Sequence, residues 1–271
     1  MVTIFRLAGA RPDFFASAPS LAEASSLLPH GTYTTLRTYD NGRRVLRLAH
    51  HLGRLHEPGI PVHGPEVDEA KVRTGLAEVV KSAGPGEARL RLTYANSGLF
   101  VSVEPLEPLP ESLYREGAAC VSVPVRREAP QVKDTRFIPT ALTAYHDLPA
   151  GAHEGLMVAE DGTVLEGLTS NFLAVREGIL HTEDQRVLPG ITRGLVLELA
   201  RGLLPRATSA VRLDQVPELS EAFLTSVSRG ILPVVSIDGT AVGDGRPGPM
   251  TRGLSHRFDA LVEREAELLS P

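Results

Sequence analysis

The chain has 271 residues, of which 42% are hydrophobic, and its 28 basic and 33 acidic side chains give a formal net charge of −5. This hydrophobic content excludes a disordered chain, and the mild acidity argues against a nucleic-acid partner, which would call for a basic protein face. The length allows one large domain or two small ones, with enough residues to bury a sizeable core.

Compartment and membrane signals favour a soluble protein. The single cysteine, Cys120, lies in an apolar strand-like run and excludes an intrachain disulfide, so an oxidising compartment is not implied. Arg6 and Arg11 interrupt the apolar N-terminal stretch, which makes it a poor signal peptide. No run reaches the ~18 apolar residues of a membrane span. We expect a cytoplasmic protein with no membrane partner.

The first part of the chain predicts strands and a few helices. Residues 31–40 and 43–50 are two β-rich runs separated by Asp40-Asn41-Gly42, a hairpin signal. The following segment HLGRL, residues 51–55, is expected to be helical. Residues 67–83 have the apolar spacing of an amphipathic helix.

A second hairpin and a domain boundary follow. Two apolar runs flank Asn96-Ser97-Gly98, and a proline-rich surface loop is predicted at 104–113. Residues 118–137 pass from a strand into a connection around Pro130. We therefore expect an N-terminal domain, an interdomain loop and a C-terminal domain, with bounds 1–122, 123–132 and 133–271.

The second part of the chain has shorter strands and longer helices. Residues 154–182 predict three or four strands joined by Asp-Gly and Glu-Gly turns, and a helix is expected to begin after Pro189-Gly190. Residues 220–242 predict a strand, a turn and a strand, and 248–269 a closing amphipathic helix. This mixture favours an α+β architecture over a doubly wound parallel sheet.

Two segments have the features of anion sites. The helix start at 190–192 offers unpaired backbone N–H groups at the positive end of the helix dipole. The turn within 224–234 carries hydroxyls at Thr225, Ser226 and Ser228. Each pattern alone is more often a simple cap or turn. Arg37 and Arg54, on mostly apolar segments, need an anionic partner or a route to solvent.

Several rival functions lack their motifs. His50, His51 and His56 do not have the HExxH spacing, and no cysteine ligand accompanies them, so we expect no metal site. The sequence contains neither a P-loop nor a glycine-rich dinucleotide motif after a strand. A G-x-S-x-G elbow, the mark of a serine hydrolase, is also missing.

Five segments in order carry a family resemblance: HLGRL, PQVKDTRF, EGLTSNFLAV, LPGITR and SRGILPV with the later IDG and GDGRPGPMTR. Together, over residues 31–256, they resemble the class IV aminotransferases, the fold-type IV pyridoxal-phosphate enzymes. That family includes branched-chain and D-amino-acid aminotransferases and aminodeoxychorismate lyases. The resemblance implies a two-domain α+β fold, with a smaller N-terminal α/β domain and a larger C-terminal domain whose β-barrel-like sheet is flanked by helices.

The resemblance also implies the site. Lys133 would form the Schiff base with pyridoxal 5'-phosphate and then move the substrate proton, and Glu166 would pair with the pyridine nitrogen. The family's usual threonine is replaced by Val227, where a backbone amide could still serve. The other implied cofactor residues are Arg54, Ser170, Asn171, Ile191, Thr192, Ser226 and Ser228. By residue type and position, the candidates for the substrate carboxylate are Tyr33, Arg37 and Arg229.

Sequence features favour two different reactions. The TTLR segment at 34–37 resembles the lyases, and no tyrosine follows Lys133 within four residues as in branched-chain transaminases. The C-terminal IDGTAVGDGRPGPMTRGL resembles the transaminases. We expect a homodimeric aminotransferase of amino acid metabolism that transfers an amino group from an amino acid or primary amine to a 2-oxo acid. The alternatives are an aminodeoxychorismate-type lyase, which releases pyruvate and 4-aminobenzoate, and a catalytically silent cofactor-binding or structural protein.

Overall fold

The computed structural model describes residues 1–56, 67–207 and 209–270. The chain forms two compact units, and both are built from non-contiguous segments. The first unit comprises Met1–Glu107, Val132–Pro139 and Leu261–Pro271, and the second comprises Pro108–Gln131 and Thr140–Ala260.

These units differ from the domain bounds expected from the sequence. The strand at 118–123 belongs wholly to the second unit, because it pairs with strands on both sides there. The segment around Lys133 belongs to the first unit, since the backbone N–H of Tyr33 donates to the Lys133 carbonyl at 2.8 Å and that of Thr135 to the Gly31 carbonyl at 3.0 Å.

The first unit contains a seven-stranded antiparallel sheet. From one edge to the other its strands are β15 (Glu267–Leu268), β4 (Arg44–Val45), β3 (Thr32–Tyr39), β5 (Ala88–Ala95), β6 (Gly98–Pro105), β1 (Val2–Leu7) and β2 (Pro12–Ala18). Among its described residues, three helices accompany the sheet: α1 (Leu21–Ser26), α2 (Leu48–Leu55) and α3 (Glu69–Lys81).

The core of this unit lies between the sheet and two helices. Alternate residues of β3, β5 and β6 pack against α2 and α3, as strand periodicity requires. The apolar face predicted within 67–83 is confirmed, because its members are buried in α3: Val72, Leu76, Val79 and Val80. Each such side chain contributes about 1.5–3 kcal/mol by leaving water.

The first predicted hairpin is confirmed at its turn but is wrong in its second strand. Asp40 and Asn41 adopt left-handed φ values of 57° and 54°, as a tight hairpin turn demands. Strand β4, however, spans only Arg44–Val45 instead of 43–50. The chain then enters α2 at Leu48, because the apolar spacing of Leu48, Leu52 and Leu55 is helical and buries that face.

The second unit is a closed β-barrel, which confirms the barrel-like sheet. Its strands run β10, β12, β13, β7, β8 and β9, and β9 pairs back to β10. Strand β7 is parallel to β8 and β13, and the other pairs are antiparallel. The bounds are β7 (Ala118–Val123), β8 (Glu154–Val158), β9 (Val164–Gly167), β10 (Asn171–Arg176), β12 (Leu219–Ser226) and β13 (Gly230–Ile237), with β11 (Ile179–His181) on β10 and β14 (Thr240–Ala241) on β13.

The remaining helices are α4 (Glu111–Glu116), α5 (Phe137–His146), α6 (Ile191–Ala200), α7 (Pro249–Glu265) and a 3₁₀ helix, Leu213–Glu218. The start of α6 after Gly190 is confirmed. Two predictions are wrong locally. The loop predicted at 104–113 already contains the start of α4, and the last helix ends at Glu265, where the chain turns to pair β15 with β4. In the described part of the chain, no helix is long and apolar enough to cross a membrane.

Candidate active site

The candidate residues divide between the two units. In the first, Lys133 lies beside Tyr33. Backbone pairing aligns the two segments, and the Lys133 Nζ is 4.9 Å from the centroid of the buried Tyr33 ring. The guanidinium carbon of Arg91 lies 5.0 Å from the same ring, a distance typical of a cation–π contact. The structure therefore brings together Lys133 and one of the predicted substrate residues.

Lys133 is distinct among the lysines of this chain. The sequence contains three, and the other two, Lys71 and Lys81, lie on α3. Their side chains are 63% and 70% exposed and pair with neighbouring carboxylates of the same helix region. Only Lys133 lies outside a solvated helix face, on a segment that pairs with β3, an interior strand of the sheet.

The helix α2 supplies two buried polar side chains, Arg54 and His51. A hydrogen bond of 2.6 Å joins His51 Nδ1 and Thr34 Oγ1. Burial lowers the pKa of His51 well below its usual value, and the charges of Arg54 and Lys133 lower it further. His51 is therefore neutral at pH 7. The sequence patterns considered His51 only as a possible metal ligand. Its position three residues before Arg54 nevertheless places both side chains on one face of the helix.

Arg37 lies further along β3 than Tyr33. Its guanidinium carbon is 4.8 Å from the centroid of the Tyr39 ring, so a cation–π contact occupies it within the strand. Strand alternation places Tyr33, Arg37 and Tyr39 on one face of the sheet and Leu36 in the core on the other. Arg37 and Tyr33 thus share one face of the sheet.

In the second unit, Glu166 is a buried carboxylate with donors at both oxygens. Its Oε2 accepts from the Asn171 Nδ2 at 3.0 Å and from the Leu188 backbone N–H at 3.1 Å. Its Oε1 accepts from the Arg127 Nε at 3.2 Å. The side chains of Arg127 and Glu166 are only 9% and 3% exposed. No local sequence signal identified Arg127, because the pair joins residues 39 positions apart.

Barrel closure aligns Glu166 with neighbouring groups. Asn171 pairs with Glu166 on one side and with Thr225 on the other, so the three residues lie side by side on β9, β10 and β12. Asn171 also donates to the Leu188 carbonyl at 2.8 Å. A Cβ at Gly190 would lie 1.9 Å from the Asn171 Oδ1, so the start of α6 reaches the same point.

The first turn of α6 presents backbone donors. Its cap residue, Gly190, provides no side-chain hydrogen bond, and Ile191 and Thr192 follow as the first helical residues. The amides at such a helix start and the helix dipole favour an anion. Arg193, in contrast, is buried against acceptors from residues 182–184. Ile191 and Thr192 therefore stay the predicted anion-binding residues of α6, whereas the Arg193 guanidinium is directed to residues 182–184.

The β12–β13 turn, residues 226–230, contains the other predicted anion-binding groups. Val227 and Ser228 lie within it, and Gly230 closes it with a left-handed φ of 63°. The Arg229 Nε donates to the Ser226 Oγ at 3.2 Å, and its Nη2 donates to Glu154. The Ser170 hydroxyl also donates to Glu154, so this side chain is directed to a carboxylate that the sequence reasoning missed.

Comparison with known proteins settles the family. The family model of the class IV amino-transferases matches residues 31–237. The chain is a class IV aminotransferase. Among the described residues of this aminotransferase, no group of three or more histidine, cysteine, aspartate or glutamate side chains could hold a metal ion.

Relatives of this class IV aminotransferase are named for two kinds of substrate, D-alanine and branched-chain amino acids. The chain is 28% identical to a D-alanine aminotransferase of Bacillus licheniformis, over 83% of this chain and 84% of the relative. It is 25% identical to a branched-chain-amino-acid aminotransferase of Pseudomonas aeruginosa, over 88% of this chain and 85% of the relative. These names disfavour the lyase alternative.

The fold is shared with solved structures. A branched-chain amino acid aminotransferase from T.th., solved with pyridoxamine 5'-phosphate, superimposes with a TM-score of 0.78 and 20% sequence identity. The match covers 99% of this chain and 98% of that chain. The two-unit, barrel-containing architecture is therefore that of the fold-type IV aminotransferases.

Proposed function

We propose that the protein is a pyridoxal 5'-phosphate-dependent aminotransferase in which Lys133 is the catalytic lysine. The observation that carries this assignment is the position of Lys133 against the buried Tyr33 ring, whereas the side chains of the other two lysines are exposed on α3. A lysine that moves protons at a carbon centre has to be withdrawn from solvent and oriented.

The chemistry of the donors supports the cofactor. Its phosphate would accept hydrogen bonds from the backbone amides of Ile191 and Thr192, where no side-chain cap competes for these donors. Arg54 and the β12–β13 turn would bind the same phosphate. Its ring nitrogen would take Glu166, which three donors hold as a carboxylate. Bound pyridoxal phosphate supplies an aldehyde that accepts the amino group and a ring that stores an electron pair.

Each residue then has a defined task. Glu166 holds a proton on the ring nitrogen, because its negative charge favours the protonated form there. Lys133 carries a proton between the α-carbon of the substrate and the C4′ atom of the cofactor, which requires its neutral amine. Asn171 and Arg127 fix the orientation of Glu166 through its two oxygens.

For the substrates, we propose an α-amino acid donor with an aliphatic side chain and a 2-oxo acid acceptor. The support is the names of the relatives, D-alanine and branched-chain aminotransferases. Tyr33 and Arg37 remain the proposed contacts of the substrate carboxylate. We further propose a cytoplasmic homodimer, on the single cysteine and on the family resemblance. Sedimentation of the purified protein tests the dimer.

The decisive experiment combines spectroscopy and mapping. Purified protein incubated with pyridoxal phosphate should absorb at roughly 410–430 nm, and borohydride reduction should attach the cofactor to the peptide containing Lys133. The Lys133→Ala variant should lose this attachment and all transfer activity, and Lys81→Ala, an exposed lysine, should retain both. Attachment to Lys71 or Lys81, or a protein that takes up no cofactor, would refute the assignment.

Substrate assays separate the remaining reactions. Both enantiomers of alanine and leucine are offered with pyruvate or 2-oxoglutarate, and transfer is measured as the new amino acid formed. Release of pyruvate from aminodeoxychorismate without any amino acceptor would instead establish the lyase reaction.

A further inference from the structure

A buried ion pair lies beside the β12–β13 turn. Glu154, the first residue of β8, has a fully buried side chain, and the Arg229 side chain is 13% exposed. Three donors converge on the Glu154 Oε2: the Arg229 Nη2 at 2.7 Å, the Thr169 Oγ1 at 2.7 Å and the Ser170 Oγ at 2.9 Å. The other oxygen, Oε1, has no hydrogen-bond partner among the described residues. Arg229 is therefore the charged partner on which this buried carboxylate depends.

The same arginine spans the turn. Its Nε donates to the Ser226 Oγ at 3.2 Å, and its Nη2 donates to the Thr169 Oγ1 at 2.7 Å. Its backbone carbonyl accepts from the Tyr114 hydroxyl at 2.9 Å, which anchors the turn to α4. One guanidinium thus joins the beginning of the turn to the segment between β9 and β10.

Arg229 contacts the segment that connects two of the proposed cofactor-site residues, Glu166 and Asn171. Thr169 and Ser170 stand between Glu166, the last-but-one residue of β9, and Asn171, the first residue of β10. Asn171 in turn pairs with Thr225, immediately before the turn. The Glu154–Arg229 pair therefore links the turn to the short connection that carries Glu166 and its orienting amide.

The charge of Arg229 is already compensated. Burial acts to lower the pKa of Arg229, but the charge and hydrogen bond of Glu154 outweigh burial, so the pKa is raised and the guanidinium stays charged. Redirecting this guanidinium to a substrate carboxylate would leave Glu154 as a buried carboxylate without a counter-ion, which is strongly unfavourable.

We propose that Arg229 is a positioning residue and not a substrate ligand: paired with Glu154, it fixes the β12–β13 turn against the Thr169–Ser170 segment. This inference rests on the proposed function, in which that turn closes around the cofactor phosphate. A turn fixed in advance binds an anion more tightly, because its donors need no ordering when the anion arrives. The pair also transmits any disturbance of the turn to Glu166.

The test measures cofactor and substrate binding separately in Arg229→Gln, Glu154→Gln and the double variant. The dissociation constant of pyridoxal phosphate is taken from absorbance titration of apoprotein, and KM values from transfer assays. Each single variant should weaken cofactor binding by about tenfold or more, equivalent to about 1.4 kcal/mol. The double variant should be no weaker than the worse single one, because both remove the same link. Arg186→Gln, which removes the ion pairs of Arg186 to Asp161 and Glu183, should change neither constant.

A substrate clamp gives a different pattern. In that case Arg229→Gln would raise the KM for the amino donor while the cofactor dissociation constant stayed unchanged, and Glu154→Gln would not reproduce the effect. This result, or unchanged cofactor binding in both single variants, would overturn the positioning role of Arg229 and leave the proposed function intact. A wild-type protein that takes up no pyridoxal phosphate would overturn the proposed function with it.

A conservative variant covers the case in which the glutamine variants do not fold. Arg229→Lys keeps a positive charge opposite Glu154 but has one nitrogen, which cannot reach Ser226, Thr169 and Glu154 together. It should fold and bind the cofactor several-fold more weakly than wild type, with the donor KM unchanged. Full wild-type cofactor affinity in Arg229→Lys would show that the span across the turn has no positioning role.

Discussion

Replacing Gly190 with alanine should disturb the candidate site by a collision, not by backbone strain. The φ of Gly190 is −61°, which any residue adopts, but the added Cβ would lie 1.9 Å from the Asn171 Oδ1. The side chain of Asn171 must move. It then loses its hydrogen bonds to the Glu166 carboxylate and to the Leu188 carbonyl.

The expected magnitude follows from these two bonds. A hydrogen bond to an ionised group is worth about 1.5–3 kcal/mol and a neutral one about 0.5–1.5 kcal/mol. Alanine restricts the unfolded chain more than glycine does, which raises the free energy of unfolding by about 0.4–1 kcal/mol. The net loss in the free energy of unfolding is therefore about 1–4 kcal/mol, measured by urea titration followed by circular dichroism.

Two variants make this prediction sharp. Gly194→Ala, four residues later on α6, meets no atom within 4 Å and should stabilise the protein by about 0.5–1 kcal/mol. In an Asn171→Ala background, Gly190→Ala should cost almost nothing, because the colliding side chain is absent. The reasoning fails if Gly190→Ala is as stable as wild type, or if its cost is undiminished in the Asn171→Ala background.

Three further outcomes are expected. Glu166→Gln should keep the cofactor bound yet lower turnover by roughly 10²–10⁴; equal turnover would refute the role of Glu166. The pKa of His51 is lowered below 6.5 in the native state, so at acidic pH this histidine binds a proton in the unfolded chain before it does in the native one. The free energy of unfolding therefore falls as the pH drops below 6.5. His51→Gln should flatten this slope in urea titrations, and His146→Gln, an exposed histidine at the end of α5, should not. Glu221→Ala should lower the free energy of unfolding by about 2 kcal/mol, since its carboxylate caps α7 at Met250 and Thr251; an unchanged urea midpoint would contradict this.

Local patterns account for the features that the sequence predicted correctly. The turn at Asp40-Asn41 and the buried face of α3 depend on backbone preference and residue spacing within one segment. The start of α6 after Pro189-Gly190 has the same origin. The family motifs are likewise short, which is why the amino-acid sequence alone indicated Lys133 and Glu166 as candidates.

The contacts that orient these residues were not predictable in the same way. Arg127 meets Glu166 across 39 positions, and Arg229 meets Glu154 across 75. Neither arginine has a local pattern that names its partner, and Arg229 was accordingly expected to face substrate. The strand pair Glu166–Asn171 that closes the barrel is local in sequence but depends on all six strands curling into register.

The sequence by itself determined the family, the catalytic candidates and most element positions, because these depend on residues near one another along the chain. Only the tertiary structure decided which donors surround Glu166, what Arg229 pairs with, and why Gly190 must lack a side chain. Those facts depend on barrel closure, which brings segments that are distant in sequence within a few ångströms of one another. A charged side chain buried there pairs with whichever opposite charge lies beside it, and sequence spacing does not predict that partner.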